Sequence, residues 1–388
     1  MNREERKYAI KGTDTLVSII VNNYNYGRFL EDAINSALNQ TYQNVEVIVV
    51  DDGSTDESRQ MIQRFGDSIV PILKENGGQA SAFNAGFNVS RGEFVIFLDS
   101  DDLLFPTTVE EVVRLVSEPD VVKVHYALAI IGSDGKETGR IEPELSLAEG
   151  NILESIIKNG PGSMENIQPP TSGNAWSRNF LNKVFPIPEE EYKGCADYYL
   201  ILLVPIFGKI KRILEPQGYY RVHGGNMTSK PLDKLANEIV LRYEYTCGLL
   251  NNHLKEMGIN VDTTQWPETW YHQLGRSLKE ISEVIPVKAS FVLANENHWK
   301  ANVVLSDRYH LPFMEFNGMY NGQPPSDEAA IKEIERQKSN GVKAIIFVWT
   351  SFWLLEYYAG MYEYLRTTYR CILNNERLLG FSLEETVC

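Results

Sequence analysis

The segment LDSDD (Leu98–Asp102) follows directly on the apolar run FVIF and crowds three carboxylates, Asp99, Asp101 and Asp102, into a short stretch of chain. Two aspartates one residue apart can chelate a single hard cation through oxygen, with phosphate oxygens completing its shell. Carboxylates at the carboxyl end of a strand also sit at the crevice where open α/β sheets bind ligands. The competing reading makes these residues turn formers and a helix cap. Two further segments bear on the choice. VVDDGS (Val49–Ser54) ends a second apolar run. There Asp51 or Asp52 can accept hydrogen bonds from a base or ribose, or else simply form a turn. ENGGQASAFNAG (Glu75–Gly86) sets Gly77 and Gly78 at the start of a helical pattern. Backbone amides and the dipole at such a start favour phosphate, against the plainer alternative of a glycine turn.

The elements that must position these residues alternate. VSIIV (Val17–Val21) is a β-branched run closed by the turn NNYNYG, and Phe29–Leu38 carries apolar residues at helical spacing. VEVIVV (Val45–Val50) is a second buried strand. Ser54 and Glu57 form a capping box for a helix running to Phe65. IVPIL (Ile69–Leu73) contains Pro71 and so belongs at a sheet edge. Ala80–Val89 is helical in pattern and EFVIFL (Glu93–Leu98) is a strand. Apolar strands separated by amphipathic helices predict a mainly parallel sheet covered on both faces. Further on, VVKVHYALAII (Val121–Ile131) reads as one strand with a turn at Gly132–Gly135, and Gly160–Trp176 as a long Gly/Pro/Ser loop that shapes a site. Residues 231–282 read as wholly helical. From Ile285 the alternation resumes with ASFVLA, a charged helix at Asp327–Lys338 and VKAIIFVW.

With 388 residues the chain is long enough for several modules. Its net charge of −15 excludes a nucleic-acid partner, which requires a clustered cationic surface. Cys195, Cys247, Cys371 and Cys388 lie far apart, giving neither a zinc site nor a disulfide framework and suiting a reducing compartment. Residues 1–15 lack the apolar core of a signal peptide, and no run reaches the roughly 18–20 apolar residues of a membrane span. These features predict a cytoplasmic protein. LILLVPIFGKIKR (Leu200–Arg212) reads as a buried helix with a basic end or as a peripheral contact with the inner face of a membrane. Homo-oligomerisation stays open.

Taken in order, VSIIV…YN, AINSALNQTYQNVEVIVVDDGSTD, NGGQASAFNAG and RGEFVIFLDSDD resemble the nucleotide-sugar-binding half of family 2 glycosyltransferases. The match runs from Thr15 to Phe105 and continues more weakly to about residue 230. The resemblance implies a GT-A fold: a Rossmann-like, mixed, mainly parallel α/β sheet with helices on both faces. It places a glycosyltransferase domain at 1–230, with nucleotide-sugar binding at 15–105 and the acceptor side at 106–230. A helical linker (231–284) and a small C-terminal α/β module (285–388) follow. Two positions depart from the family: Asn22–Asn23 replaces the usual Pro-Thr, and Phe83 stands where many members carry Arg.

Carried over position by position, Asp51 or Asp52 contacts the nucleoside, and Asn23, Asn76, Gly77, Gly78, Asn84 and Asp99 line the donor. Asp99 and Asp101 hold a divalent metal, Mn²⁺ or Mg²⁺, with His223 in YYRVHGGNMT beside it, and Arg221 stabilises the leaving diphosphate. Members invert the anomeric centre, so a base must take the acceptor proton. GCADYYLILL (Gly194–Leu203) supplies Asp197 for that role, against an N-cap alternative. Trp176 is a stacking wall for the acceptor or a core residue. The implied partners are a nucleotide-sugar donor, with UDP as the expected carrier, and a saccharide or lipid-linked saccharide acceptor in glycan biosynthesis. A non-catalytic sugar or nucleotide binder and a sugar nucleotidyltransferase are the alternatives. In the tail, Tyr320, Gln323 and Asp327 of YNGQPPSD either line a second pocket or form a turn and N-cap.

Overall fold

The computed structural model describes residues 14–116, 118, 120–144, 146–161, 168–225, 232–295, 308–316 and 319–386. The polar start of the chain and residues 162–167 of the long loop lie outside that set. Contacts divide the chain into two units, 1–225 with 242–267, and 226–241 with 268–388.

The first unit begins with β1 (Val17–Asn23), α1 (Gly27–Leu38), β2 (Val45–Asp52), α2 (Ser58–Gln63), β3 (Val70–Lys74), α3 (Gln79–Val89) and β4 (Phe94–Asp99). It continues with β5 (Leu103–Leu104), α4 (Thr108–Leu115), β6 (Val121–Tyr126), β7 (Leu128–Gly132), β8 (Glu137–Glu142), α5 (Leu153–Asn159) and β9 (Asn174–Ser177). α6 (Arg178–Val184), α7 (Ala196–Phe207), β10 (Lys209–Ile213) and β11 (Gly218–Val222) complete its sheets. Seven strands form the main sheet in the order β10-β6-β9-β4-β1-β2-β3. β1 pairs in parallel with both β2 and β4, and β9 alone runs antiparallel to its neighbours β4 and β6. β3 is the edge strand, as Pro71 requires.

Side chains alternate across this sheet, and two cores result. Ile20, Ile48, Val50, Val95 and Phe97 face α3, α6 and α7. Ile19, Val21, Val47, Val49, Ile96 and Leu98 face α1 and α4. Helices therefore cover both faces, because each of these strands is apolar at odd and even positions alike.

Several expectations need correction. α2 starts at Ser58, not at a Ser54 cap; the Ser54 hydroxyl instead accepts from the Asn25 amide (2.9 Å) and Asn23 Nδ2 (3.1 Å). The run Val121–Ile131 is two strands, since β6 joins the main sheet while β7 joins a second sheet ordered β5-β11-β7-β8. Leu200–Arg212 is not one buried helix with a basic end: the core helix ends at Phe207, and after Gly208 the basic residues lie on β10. A Cβ at Gly208 would lie 2.4 Å from the Asp120 carbonyl, so the helix-to-strand turn there requires glycine. No helix among the described residues is long and apolar enough to cross a membrane.

Residues 231–282 are not continuously helical. α8 (Leu232–Glu256) stops at Gly258, whose φ is +76°, and α9 (Trp270–Val284) begins behind a Thr269 cap. Residues 242–256 of α8 belong with the first unit and 232–241 with the second.

The second unit adds β12 (Ser290–Ala294), β13 (Tyr309–Pro312), β14 (Glu315–Phe316), β15 (Met319–Tyr320), α10 (Asp327–Ser339) and β16 (Ala344–Val348). α11 (Trp353–Tyr357), α12 (Ala359–Thr368), β17 (Tyr369–Asn374) and β18 (Leu378–Thr386) finish it. Its sheet runs β13-β12-β16-β18-β17. Ser326 caps α10, and Asp327 Oδ1 accepts from the Met361 amide at 2.8 Å, which supports the turn-and-cap reading of YNGQPPSD.

Candidate active site

The site grows from the carboxyl ends of β1, β2 and β4. Parallel register sets Asn22 beside Asp99 and Asn23 beside Asp51. Asn22 Nδ2 donates to Asp99 Oδ1 at 2.6 Å, and Asn23 Nδ2 to Asp51 Oδ2 at 3.1 Å. The two asparagines that replace Pro-Thr thus tie β1 to each neighbour in turn. Strand alternation puts Asn22, Asp52 and Asp99 on the face of α3 and α7, and Asn23 and Asp51 on the face of α1.

Asp99, Asp101 and Asp102 do different work. Asp102 is fully buried; its carboxylate accepts from the Arg221 amide (2.9 Å) and from the Ser172 hydroxyl (2.7 Å). Burial, with Asp101 and Asp99 nearby, holds its pKa well above the usual carboxylate range. Asp99 is pushed up to about 7 by burial and by Asp101, with Asn22 opposing. Asp101 Oδ2 lies 2.9 Å from His223 Nε2. His223 Nδ1 accepts from the Gly225 amide at 3.0 Å, which leaves Nε2 as the nitrogen that donates to Asp101. The ring of His223 is wedged against Phe29 (5.0 Å) and Tyr26 (5.1 Å), so this histidine is a buried site residue and not an exposed loop residue.

Arg221 points elsewhere than expected. Its Nε donates to the Asp101 carbonyl (2.9 Å), its guanidinium lies 4.7 Å above Phe29, and Asp32 stands 3.5 Å away. It clamps the DSDD turn to α1 and lines a cavity of about 710 Å³ on that side, with Arg28, Phe105 and Tyr219.

Gly77 and Gly78 do not present vacant amides. Both donate to the Asp52 carboxylate, at 3.0 and 2.7 Å, and Asn76 Nδ2 adds a bond to it at 3.1 Å. With Lys74 Nζ at 2.6 Å, Asp52 occupies the anion seat that the glycines were expected to offer a phosphate. Asp51 is similarly engaged, by Arg59 Nε (2.7 Å) and the Ser54 amide (3.1 Å). Asn84 bonds Ile187 through both amide atoms and Glu189 through Nδ2, so it anchors the 187–189 segment. Phe83 stacks on Phe97 at 3.9 Å in the core, where an arginine would have to bury its charge. Trp176 is 1% exposed and belongs to the core, not to an acceptor wall.

Asp197 is the second residue of α7 and not its N-cap; Cys195 holds that place in a left-handed conformation (φ 57°). Burial raises the proton affinity of Asp197, opposed by the Thr171 hydroxyl and by the amides of Tyr198 and of Asp197 itself. Thr171 also lowers the proton affinity of Asp99. Gln79, at the start of α3, forms a bridge: Nε2 donates to Asp99 Oδ1 (3.2 Å) and Oε1 accepts from the Ala196 amide (2.9 Å). Asn22, Gln79, Thr171 and Ser172 escaped the sequence reading. The only signals were the paired asparagines and the PPTSG turn inside the long loop.

Residues 18–176 match the family model described as Glycosyl transferase family 2. An uncharacterized glycosyltransferase of Nostoc sp. is 37% identical over 284 residues, covering 69% of this chain and 85% of that protein. The chain belongs to glycosyl transferase family 2. The family's GT-A arrangement is the mainly parallel sheet described above. An uncharacterized glycosyltransferase of Rickettsia conorii is 44% identical over 147 residues, 37% of this chain, and the chain spans only 24% of that relative's length. Among solved structures, S. aureus TarS 1–349 in complex with UDP-GlcNAc aligns at 21% identity with a TM-score of 0.44, covering 63% of this chain and 73% of that one.

The donor set suits a hard divalent cation. Asp99 and Asp101 offer carboxylate oxygens, Asp101 raises the proton affinity of Asp99, and Asn22 Oδ1 is buried without a partner beside them. Among the described residues no group of three or more His, Cys, Asp or Glu side chains is arranged to hold a metal ion, so water and ligand oxygens would have to supply most of its shell.

Proposed function

We propose that this glycosyltransferase inverts the anomeric centre of a UDP-sugar while passing the sugar to a hydroxyl of a saccharide or lipid-linked saccharide. The observation that carries this reading is the Gln79 bridge, which joins Asp99 to the Ala196 amide at the start of the helix that carries Asp197. A diphosphate-binding group and a buried carboxylate are thereby held in one frame, as an in-line displacement requires.

Asp99 and Asp101 would hold Mn²⁺ or Mg²⁺, the rest of its shell coming from diphosphate oxygens and water. That cation supplies neutralising charge to the departing nucleoside diphosphate. His223 orients Asp101 through its Nε2–H, and the nucleoside lies over the ends of β1 and β2, where Asn23 and Asp51 pair. Asp197 takes the proton of the acceptor hydroxyl. The acceptor oxygen forms its bond to the anomeric carbon as the bond from that carbon to the phosphate oxygen breaks, and the electron pair leaves with the diphosphate. Burial raises the basicity of Asp197 towards that of a useful base, a factor of about 10²–10⁴ in rate.

Thermal-shift measurement with UDP and Mn²⁺, followed by turnover on a panel of UDP-sugars, tests the assignment. Asp101→Ala should lose the Mn²⁺-dependent shift with UDP. Asp197→Ala should keep that shift and lose transfer. Full turnover by Asp197→Ala would remove it as the base, and an intact Mn²⁺-dependent shift in Asp101→Ala would remove the metal site.

A further inference from the structure

The reaction proposed above makes no use of the cavity of about 710 Å³ beside α1, although its wall is built onto the DSDD turn. Arg221, on β11, lines it and donates from Nε to the Asp101 carbonyl at 2.9 Å. Arg28, on α1, is a second lining cation. One of its terminal nitrogens lies 3.4 Å from Nδ1 of His223, whose Nε2 bonds Asp101. The two guanidiniums share one ring, at 4.4 and 4.7 Å from the centroid of Phe29. Their separation therefore does not exceed the sum of those distances, which is inside a Debye length of about 10 Å, and they repel.

An anion between two such charges relieves that repulsion, and the protein supplies little of one. Asp32 stands 3.5 Å from Arg221, but its side chain is 64% exposed and shares its interaction with water. Asp134, the other carboxylate of the lining, is paired with Lys136 at 3.0 Å. Arg28 has no carboxylate partner among the described residues. Packing does not ask for the pair either. Phe29 already carries the Arg221 guanidinium, and an uncharged side chain on α1 would cover the ring without repulsion.

Guanidinium forks match the paired oxygens of a phosphate or a carboxylate. The rest of the lining suits a sugar carrying such a group. Phe105 and Tyr219, in edge contact at 4.8 Å, offer ring faces, and the exposed Asn35 and Ser133 offer hydrogen-bonding groups. The volume falls within the range of about 300–1,000 Å³ usual for small-ligand pockets.

We propose that this cavity is a second ligand site, which takes a saccharide bearing a phosphate or carboxylate and holds that anion between Arg28 and Arg221. Its distinctness from the donor seat rests on the proposed function above, which puts the nucleoside over β1 and β2. The anion recognition rests on the two arginines alone.

Calorimetric titration of the full chain at low salt with glucose 6-phosphate, glucuronate and glucose tests the site. At least one charged sugar should bind about tenfold or more tighter than glucose, and which of them does so separates phosphate from carboxylate recognition. Arg28→Gln should weaken that binding about tenfold, as the loss of one charge-assisted contact predicts. Asp32→Asn should tighten it about two- to fivefold by removing a rival carboxylate. Both positions are exposed on α1, so Tm should hold. Saturating UDP with Mn²⁺ should leave Kd within about twofold. Charged sugars that bind no better than glucose, or an unchanged Kd in Arg28→Gln, overturn the proposal. Displacement by UDP with Mn²⁺ also overturns it, because the anion then occupies the donor seat. If Arg28→Gln does not fold, Asp32→Asn decides, and a wild-type Kd there counts against the site. Absence of any binding of UDP with Mn²⁺ would instead sink the donor reading, and the two α1 variants would still decide this one.

Discussion

Replacing Gln79 with leucine should separate the two halves of the site. Gln79 Oε1 is the acceptor for the amide of Ala196, the first residue of α7 and fully buried. First-turn amides have no partner within their own helix, so this one loses its acceptor in Gln79→Leu. An unsatisfied buried donor costs about 1–3 kcal/mol. The bond to Asp99, at 3.2 Å, is at the long end of the range and adds a smaller loss. A total of about 2 kcal/mol lowers Tm by about 4–8 °C in a unit of this size. Calorimetry of the wild type, Gln79→Leu and Gln79→Glu reads the effect. Glutamate keeps an oxygen for the Ala196 amide but sets a second carboxylate against Asp99, so its Tm should recover as pH falls and that of the leucine variant should not. Transfer by Gln79→Leu should drop as well, since α7 carries Asp197. A leucine variant that melts within about 1 °C of wild type and turns over normally would refute the bridge.

Two further predictions follow from burial and backbone geometry. Burial places the Asp197 pKa above its ordinary 3.8, so the acid limb of kcat/KM should have its midpoint above that value. The same shift destabilises the fold as pH rises from 3.8 through the folded value, because the unfolded chain ionises first; Asp197→Asn should make this slope shallower in a urea series measured against pH, leaving the contributions of Asp99 and Asp102. Gly78 has φ +90° and ψ 178°, a region essentially reserved for glycine, and a Cβ there would lie 2.5 Å from the Lys193 carbonyl. Gly78→Ala should therefore lose about 2–3 kcal/mol in urea unfolding, whereas an unchanged midpoint would contradict the close approach of α3 to the 193–196 turn.

Much of the first unit is written locally in the chain. The runs Val17–Val21, Val47–Val50 and Phe94–Leu98 are buried at every position, which dictates strands covered on both faces, and Pro71 dictates an edge. The LDSDD turn announces a carboxylate cluster because three acidic residues follow a strand end. What local pattern could not decide is which face or which sheet a residue joins. Val121–Ile131 reads as one strand because no glycine, proline or turn residue interrupts it; only pairing with β9 and β10 on one side and β11 and β8 on the other divides it. The break in the helical stretch after Glu256 was signalled by Gly258 and Pro267, but the polar residues between them also fit an exposed helix.

Residue chemistry and three-dimensional neighbours divide the candidate site in the same way. The sequence by itself determined that carboxylates, glycines and a histidine stand near strand ends, since those depend on spacing along one strand. Tertiary structure decided their partners: Gly77 and Gly78 serve Asp52, and Arg221 turns to Phe29. Hydrogen bonds and Coulomb forces act through space at a few ångströms, and residues as far apart in the chain as Asp99, Thr171 and Asp197 come within that range only when the sheet has folded.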